Sequence, residues 1–499
     1  MRPLLLGIDV GTSTAKAVLA DVDGKELYTA SRRYGYEAPN PDWAEQSPET
    51  WWSAVAGAVH HVVEAAGDAG RVAGIAVSGQ GVAAVLLGQD GTPLRPAMLW
   101  MDCRASEETL ALSPAAERFI SIAGKAPGAY NVEPKLMWVR KHEPAVWQHL
   151  WKVTTTTGYI TYRLTGNPVM NHSDAGVLMA YDLKRQRWSE ELLDLMGLSP
   201  GHFCDLAPST EVVGTLTAEA GRDLGLPPGV PVVAGGEDTS AAGLAAGAVE
   251  PGHAFLSLGT ASTLYVPVQG APVDSRLLTF PHVISGLSLI GGSMISGGGA
   301  FEWLAKLLCG NDLGGDGWIE SLSREAQTSP AGASGLVFLP YLAGELQPVS
   351  DSLARGVFLG LSFGTRRGDL VRAVMEGVAY AINHNAETIA ELAGPIASFR
   401  AVGGPTRNPL WCQIIADVTG REVIVYDDRA GAPLADAALA AAGVGLVEAP
   451  YSLIERHVRP TRTYHARDEA HVRYRQLFQV YLEVYPRVKH LFPALRMPT

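Results

Sequence analysis

Asp9 closes the apolar run Leu4-Leu5-Leu6-Gly7-Ile8 and is followed, after Val10, by Gly11-Thr12-Ser13-Thr14. An acid at a strand end beside a glycine and three hydroxyls can meet phosphate. The turn offers backbone N–H groups and hydroxyls to an anion. The carboxylate can hold Mg2+ through water, because that ion takes one or two carboxylates and keeps several waters. Taken alone, the stretch is equally an ordinary capped hairpin. A similar phrase returns at Ser257-Leu258-Gly259-Thr260-Ala261-Ser262-Thr263, again between apolar strands. Two such turns can supply donors to one phosphate chain, so the second copy favours the chemical reading.

Asp238 follows the apolar strand Val230 to Ala234 and Gly235-Gly236-Glu237, and stands before a small-residue helix, Ala241 to Ala248. It can cap that helix. It can also act as a base at the C-terminal edge of a strand, where α/β folds place their chemistry. A base there takes the proton from a hydroxyl as it attacks a phosphoryl group. Its place just before the crossing between the two halves of the chain favours the base. Gly403-Gly404 leaves backbone on which a flat ring can lie, and Asn408-Pro409 reads as the N-cap and first position of a helix. Trp100, Asp102 and Arg104 alternate and, on a strand, share one face. That face is either an ion pair under an aromatic ring or a surface that stacks on and hydrogen-bonds a polyol.

The elements that must position these residues follow from the surrounding pattern. The 499 residues, 47% hydrophobic and 18% charged, are enough for two large domains with sizeable cores. The paired turns set them as residues 1–250 and 251–499, divided at Glu250-Pro251-Gly252. A net charge of −12 without any Lys/Arg run argues against nucleic acid and for small molecules. Cys103, Cys204, Cys309 and Cys412 form no C-x-x-C pair, and the thirteen histidines no H-x-x-H. Neither zinc nor a disulfide framework is indicated, and reduced thiols fit the cytoplasm. No standard signal peptide precedes Asp9, and Ala241 to Val249 is too short to span a bilayer. The pattern predicts antiparallel strands at Leu4 to Val10, Thr14 to Asp21 and Glu26 to Tyr34. A helix then starts at Ser47-Pro48-Glu49, and a strand runs from Val72 to Val77 into Ser78-Gly79-Gln80-Gly81. A turn between antiparallel strands makes this a mixed α/β sheet and not a dinucleotide-binding unit, whose fingerprint runs from strand directly into helix. Lys135 to His142 reads as an amphipathic helix with a solvated basic face. Ser398 to Val402, the helix near Leu410 to Thr419 and Glu422 to Tyr426 make a βαβ unit, and Glu469 to Leu491 a closing helix.

These motifs resemble those of the FGGY carbohydrate kinases of the actin/hexokinase-like superfamily, most closely the bacterial xylulokinases. The resemblance runs through Gly7-Ile8-Asp9-Val10-Gly11-Thr12, Asp42-Trp43-Ala44-Glu45-Gln46, Trp100-x-Asp102-x-Arg104, Gly235-Gly236-Glu237-Asp238 and Ser257-Leu258-Gly259-Thr260 to Gly403-Gly404. Phe338-Leu339-Pro340-Tyr341-Leu342-Ala343-Gly344-Glu345, Gly356 to Leu361, Asp369-Leu370 and Ala373 to Glu376 extend it, so that it covers nearly the whole chain. It implies two ribonuclease H-like α/β domains, each with a mixed five-stranded sheet, and a catalytic cleft between them that closes over sugar and ATP. It implies that Asp238 is the catalytic base, and that Asp9 and Asp238 serve Mg2+. Gly11, Thr12, Ser13, Gly259, Thr260, Gly298, Glu302, Gly403, Gly404 and Asn408 would then serve ATP. Gln80, Gly81, Val82, Trp100, Asp102, Asp238 and Thr239 would face the sugar.

Typical xylulokinases have Met-His where this chain has Gly81-Val82, asparagine where it has Thr239, and proline, serine or threonine where it has Val132. The implied reaction is ATP-dependent phosphorylation of a terminal hydroxyl of a ketopentose, D-xylulose first. The alternatives are another ketose or polyol such as ribulose, erythritol or glycerol, and a catalytically silent sensor. A homodimer follows by analogy only.

Overall fold

A computed structural model describes residues 2–310, 317–426, 431–456 and 459–495. The first sheet is built from β1 (Leu4–Val10), β2 (Thr14–Asp21), β3 (Glu26–Arg33), β4 (Val72–Gly79), β5 (Val212–Thr215), β6 (Pro231–Val233) and β7 (Gly236–Glu237). Its order is β5-β6-β4-β1-β2-β3, with β7 also pairing to β4. β1 is antiparallel to β2 and parallel to β4.

Apart from Asp9 near its end, β1 has only apolar residues and a glycine because both of its faces are covered. Leu4, Leu6, Ile8 and Val10 share a core with Trp51, Val55, Val59 and Val62 of helix Pro48–Ala66. Leu5, on the opposite face, joins Ala435, Ala438 and Leu439 of helix Ala432–Gly443. Each fully buried Leu, Ile or Val contributes about 1.5–3 kcal/mol.

The second sheet also has seven strands. Six of them are β8 (His253–Leu258), β9 (Ser262–Gln269), β10 (Leu287–Met294), β11 (Ser398–Val402), β12 (Glu422–Tyr426) and β13 (Pro460–Tyr464). They lie in the order β10-β9-β8-β11-β12-β13. A hairpin, β8 with β9, beside the parallel neighbour β11 repeats the arrangement of β1, β2 and β4. The fold is thus a duplicated mixed α/β architecture. Its sheets have seven strands where five were expected, because short segments such as β5 and the two-residue β7 leave no periodic signal.

The chain forms two compact units. One comprises Met1–Val249, Val268–Leu289 and Arg429–Arg459; the other comprises Glu250–Pro267, Ile290–Asp428 and Pro460–Thr499. These differ from two contiguous halves because helix Ala432–Gly443, late in the chain, completes the first core. Gly7 allows that approach: a Cβ here would be driven into the carbonyl oxygen of Pro433.

Three local expectations are corrected. Trp100, Asp102 and Arg104 lie beyond the short strand Ala97–Met98, in a turn closed by Asp102 N–H to Leu99 O at 3.0 Å, and so do not share a strand face. The basic helix, Val132–His142, does not leave Lys135 in solvent. Lys135 is fully buried, and its Nζ donates to Leu99 O and Tyr130 O. Ser47 precedes helix Pro48–Ala66, but its side chain makes no capping hydrogen bond to it.

Replacing Gly7 by alanine should destabilise the protein by at least about 1–3 kcal/mol, because the obstacle is backbone. Urea unfolding would show this as a lower midpoint at unchanged slope; an unchanged midpoint would refute the packing argument.

Candidate active site

Sheet register brings the acids together. On β1 and β4, Asp9 stands opposite Ser78 and Val10 opposite Gly79; on β7 and β4, Gly236 stands opposite Ser78 and Glu237 opposite Gly79. Asp238 is therefore delivered just past the strand ends, as the first residue of helix Asp238–Ala245. The capping role belongs to Glu237, whose Oε2 accepts from Ser240 N–H at 2.8 Å. This leaves the Asp238 carboxyl uncommitted to the helix, with the Thr239 hydroxyl donating to its Oδ1 at 3.2 Å.

Behind these residues lie acids that the sequence did not single out. Ser78 Oγ sits 2.7 Å from Asp436 Oδ2 and 3.3 Å from Asp9 Oδ1, and Asn171 Nδ2 donates to Asp174 Oδ2 at 2.6 Å. Asp174 and Asp436 are wholly buried and Glu237 nearly so, whereas Asp9 and Asp238 keep partial access to solvent. Removal from water, reinforced by the Asp238 charge, pushes Asp9 up to about 7. Burial likewise raises Asp174 to about 7, and raises Glu237, Asp238 and Asp436 above the usual carboxylate range. Asp436 is the sole charged residue in an alanine-rich helix, the one sequence signal that could have marked it.

The expected sugar face is only partly assembled. Trp100 is 45% exposed and donates its indole N–H to Thr12 Oγ1 at 3.1 Å, so it adjoins the first turn. Asp102 is fully buried. Its Oδ1 accepts from Arg104 N and Nε, and its Oδ2 accepts from Ala44 N at 2.7 Å and Arg104 Nη2 at 2.6 Å. The Arg104 guanidinium lies 3.6 Å above the Trp43 ring. For Asp102 the ion-pair reading therefore describes the geometry. Gly81 lies against Glu237, a Cβ there falling 3.2 Å from Glu237 Oε1. Val82 holds φ at +50°, which is strained for a β-branched side chain.

In the first turn Gly11 N–H closes on Thr14 O at 3.0 Å, and in the second Gly259 N–H closes on Ala261 O at 2.9 Å. These two amides are thereby committed to the turns; Ser13 and Thr260 are exposed, whereas Ser262 Oγ is buried. In the second unit, Gly297 and Gly299 N–H donate to Thr260 O, and Gly298 N–H to Gly259 O at 2.7 Å, locking helix Gly298–Cys309 to the turn. Gly403 holds φ at +102° with no room for a Cβ beside Leu258 O, so the 403–405 loop joins the same cluster. Asn408 caps helix Pro409–Thr419 through Leu410 and Trp411 N–H and donates to Ser323 Oγ, so its amide is committed to structure. Glu302 pairs with Lys306 at 2.7 Å, one helical turn away.

The donor set of the first unit suits Mg2+. It offers hard carboxylate oxygens, and Oδ1 of both Asp174 and Asp436 is buried with no hydrogen-bond partner. Among the described residues no group of three or more His, Cys, Asp or Glu side chains could by itself hold a metal. An ion coordinated largely by water and phosphate needs no such cage. No helix among the described residues is long and apolar enough to cross a membrane.

The duplicated sheet with a hydroxyl turn in each half and a carboxylate at the strand ends is the build of a carbohydrate kinase. Residues 4–245 match the N-terminal domain, and 254–444 the C-terminal domain, of the FGGY family of carbohydrate kinases, and the chain belongs to that family. It is 33% identical to a xylulose kinase of Klebsiella pneumoniae over 84% of this chain and 86% of that one. To a xylulose kinase of Escherichia coli it is 31% identical over 95% and 99%. The crystal structure of a xylulose kinase from Rhodospirillum rubrum, 32% identical, superposes with a TM-score of 0.92 over 98% of this chain and 99% of that one.

The raised pKa of Asp9 fixes the sign of a pH effect. Its folded value, about 7, exceeds the ordinary aspartate value of 3.8, so the folded state binds more protons between the two. Stability is therefore lost as pH rises through that window. Asp9→Asn removes the penalty, and its stabilisation relative to wild type should be larger at pH 8 than at pH 5.5 by about 1–2 kcal/mol. Equal gains at both pH values in thermal unfolding without ligand would show that Asp9 is not held in this way.

Proposed function

We propose that this enzyme transfers the γ-phosphoryl group of ATP to the terminal hydroxyl of a ketopentose, with D-xylulose as acceptor and D-xylulose 5-phosphate as product. The observation that carries the reading is Asp238: it stands at the strand ends, it is relieved of capping by Glu237, and its proton affinity is raised by desolvation. A carboxylate poised closer to neutral pH is the better general base. The similarity to xylulose kinases supports the choice of sugar.

The acceptor oxygen attacks the γ-phosphorus in line and its proton passes to Asp238 as the new O–P bond forms. The bond from phosphorus to the β-phosphate oxygen breaks, and ADP leaves. The Thr239 hydroxyl orients the Asp238 carboxylate by donating to Oδ1. Trp100 offers an exposed ring to the sugar carbons. The hydroxyls of Thr12 in the first unit and Thr260 in the second bind phosphate oxygens, and the glycine loops at Gly298 and Gly403-Gly404 admit the nucleotide. Asp9 and Asp238 would hold Mg2+, which neutralises phosphate charge when bound.

One observation favours a second acceptor, a related ketose or polyol. Val82, in strained backbone, presents no hydrogen-bonding group where typical xylulokinases have histidine. A site with fewer fixed polar partners discriminates less between substrates that differ by one hydroxyl.

A coupled assay of ADP release over D-xylulose, D-ribulose, erythritol and glycerol tests the reading: D-xylulose should give the highest kcat/KM, and turnover of another acceptor alone would replace it. Asp238→Asn should lower kcat by about 10²–10⁴ while ATP binding is retained and the unfolding midpoint does not fall; full turnover in this variant removes Asp238 from the mechanism. Val82→His should raise the preference for D-xylulose by an amount on the scale of one hydrogen bond, about 1–3 kcal/mol. If the wild type is already strongly selective and the variant no better, the contact is supplied elsewhere.

A further inference from the structure

Two buried amides beside the first turn have orientations that their neighbours dictate. Gln46 points its Nε2 at two backbone carbonyls, Thr12 O at 2.6 Å and Gly35 O at 3.0 Å. Carbonyls only accept, so the nitrogen must face them. The other end, Oε1, receives the indole N–H of Trp51 at 2.8 Å, and an indole only donates. Gln46 therefore cannot turn over without setting both ends against like groups.

The same oxygen also receives Nε2 of Gln80 at 3.0 Å. The Gln80 amide is thereby fixed in turn, with its NH2 toward Gln46 and its carbonyl oxygen away from it. That oxygen is buried and has no partner among the described residues, an arrangement that is costly to keep unless a ligand completes it. Gln80 stands just past the end of β4, with its backbone N–H bonded to Val10 O at 2.9 Å, at the strand ends that also deliver Asp9 and Asp238. Gly81 beside it lies against Glu237, the neighbour of the base.

We infer that Gln46 is a positioning residue for acceptor specificity: it holds the Gln80 amide so that only its carbonyl oxygen meets the sugar, and the site there accepts a substrate hydroxyl as donor and rejects a group that can only accept. The inference rests on the reading of this site as the acceptor site of the kinase. It adds a polarity requirement at one hydroxyl other than the one phosphorylated. Gln46 itself touches no substrate; through Thr12 O the same amide also steadies the turn that carries the Thr12 hydroxyl.

The test compares kcat/KM for D-xylulose with that for each of its monodeoxyfluoro derivatives, fluorine being an acceptor without a proton. In wild type one position should show a marked preference for hydroxyl over fluorine. In Gln46→Met the Gln80 amide is free to turn over and present NH2, and the preference at that position should fall roughly tenfold, the scale of one hydrogen bond. A merely structural role would lower both values together and leave the ratio intact, which would overturn the inference. Gln80→Glu, with two accepting oxygens, should keep the preference, and Gln80→Met should lose it. The opposite result in either variant overturns the inference even if Gln46→Met does not fold. Should D-xylulose not be phosphorylated while another acceptor is, the substrate reading fails, and the same ratios measured on that acceptor's fluorinated derivatives still decide the role of Gln46.

Discussion

Exclusion of water from the acids at the centre of the first unit is the constraint on which the rest of the structure depends. Asp174, Glu237 and Asp436 are sealed behind Asp9 and Asp238, which remain partly open. The Asp238 charge raises the cost of ionising Asp9, Asp174 and Glu237, and neutral donors, among them Ser78, Thr239, Asn171 and the Ser240 N–H, give the acids hydrogen bonds. The covered faces of β1 and the small-residue helix packed on Gly7 are what keep water out. An apolar framework and a set of reluctant carboxylates are therefore one device: the framework makes the acids basic enough to accept a proton, and the acids make the framework less stable than it would be without them.

The duplicated hairpin is put to different uses in the two units. In the first, the turn after β1 is flanked by an acid and joined to Trp100 and Gln46 through the Thr12 hydroxyl and carbonyl. In the second there is no acid at the corresponding place, and the carbonyls of Gly259 and Thr260 instead anchor the glycine-rich start of a helix. Similar backbone geometry thus sits beside an acid in one copy and supports close backbone approach in the other. Repetition of a fold leaves the side chains free to divide the labour.

Much of this was legible in the sequence wherever the signal was local. β1, β2, β11 and β12 fall on the expected residues because alternation and turn chemistry suffice to define them, and Asn408-Pro409 starts its helix as read. Trp100, Asp102 and Arg104 misled because alternation over a few residues does not separate a strand from a turn whose carboxylate is claimed by Arg104 and Ala44 N–H. Lys135 looked solvated because helical spacing does not reveal that two backbone carbonyls await its ammonium. The role of Glu237 as the cap emerged only from dihedral angles and a hydrogen bond. A lone charge in an alanine-rich helix could mark Asp436, but its meeting with Ser78 was not legible, since it depends on a contact between residues 358 apart.

That long-range contact has a consequence for how the protein is made. β1 is synthesised long before the helix that covers its Gly7 face, Ala432–Gly443. Until then the nascent first unit carries an apolar sheet face that lacks this cover. Such a face is a site for chaperone binding or for premature association between neighbouring nascent chains. Completion of the core that shapes the acid cluster therefore waits for that helix, and Asp9 and its neighbours acquire their raised proton affinity only after Ala432–Gly443 has been made.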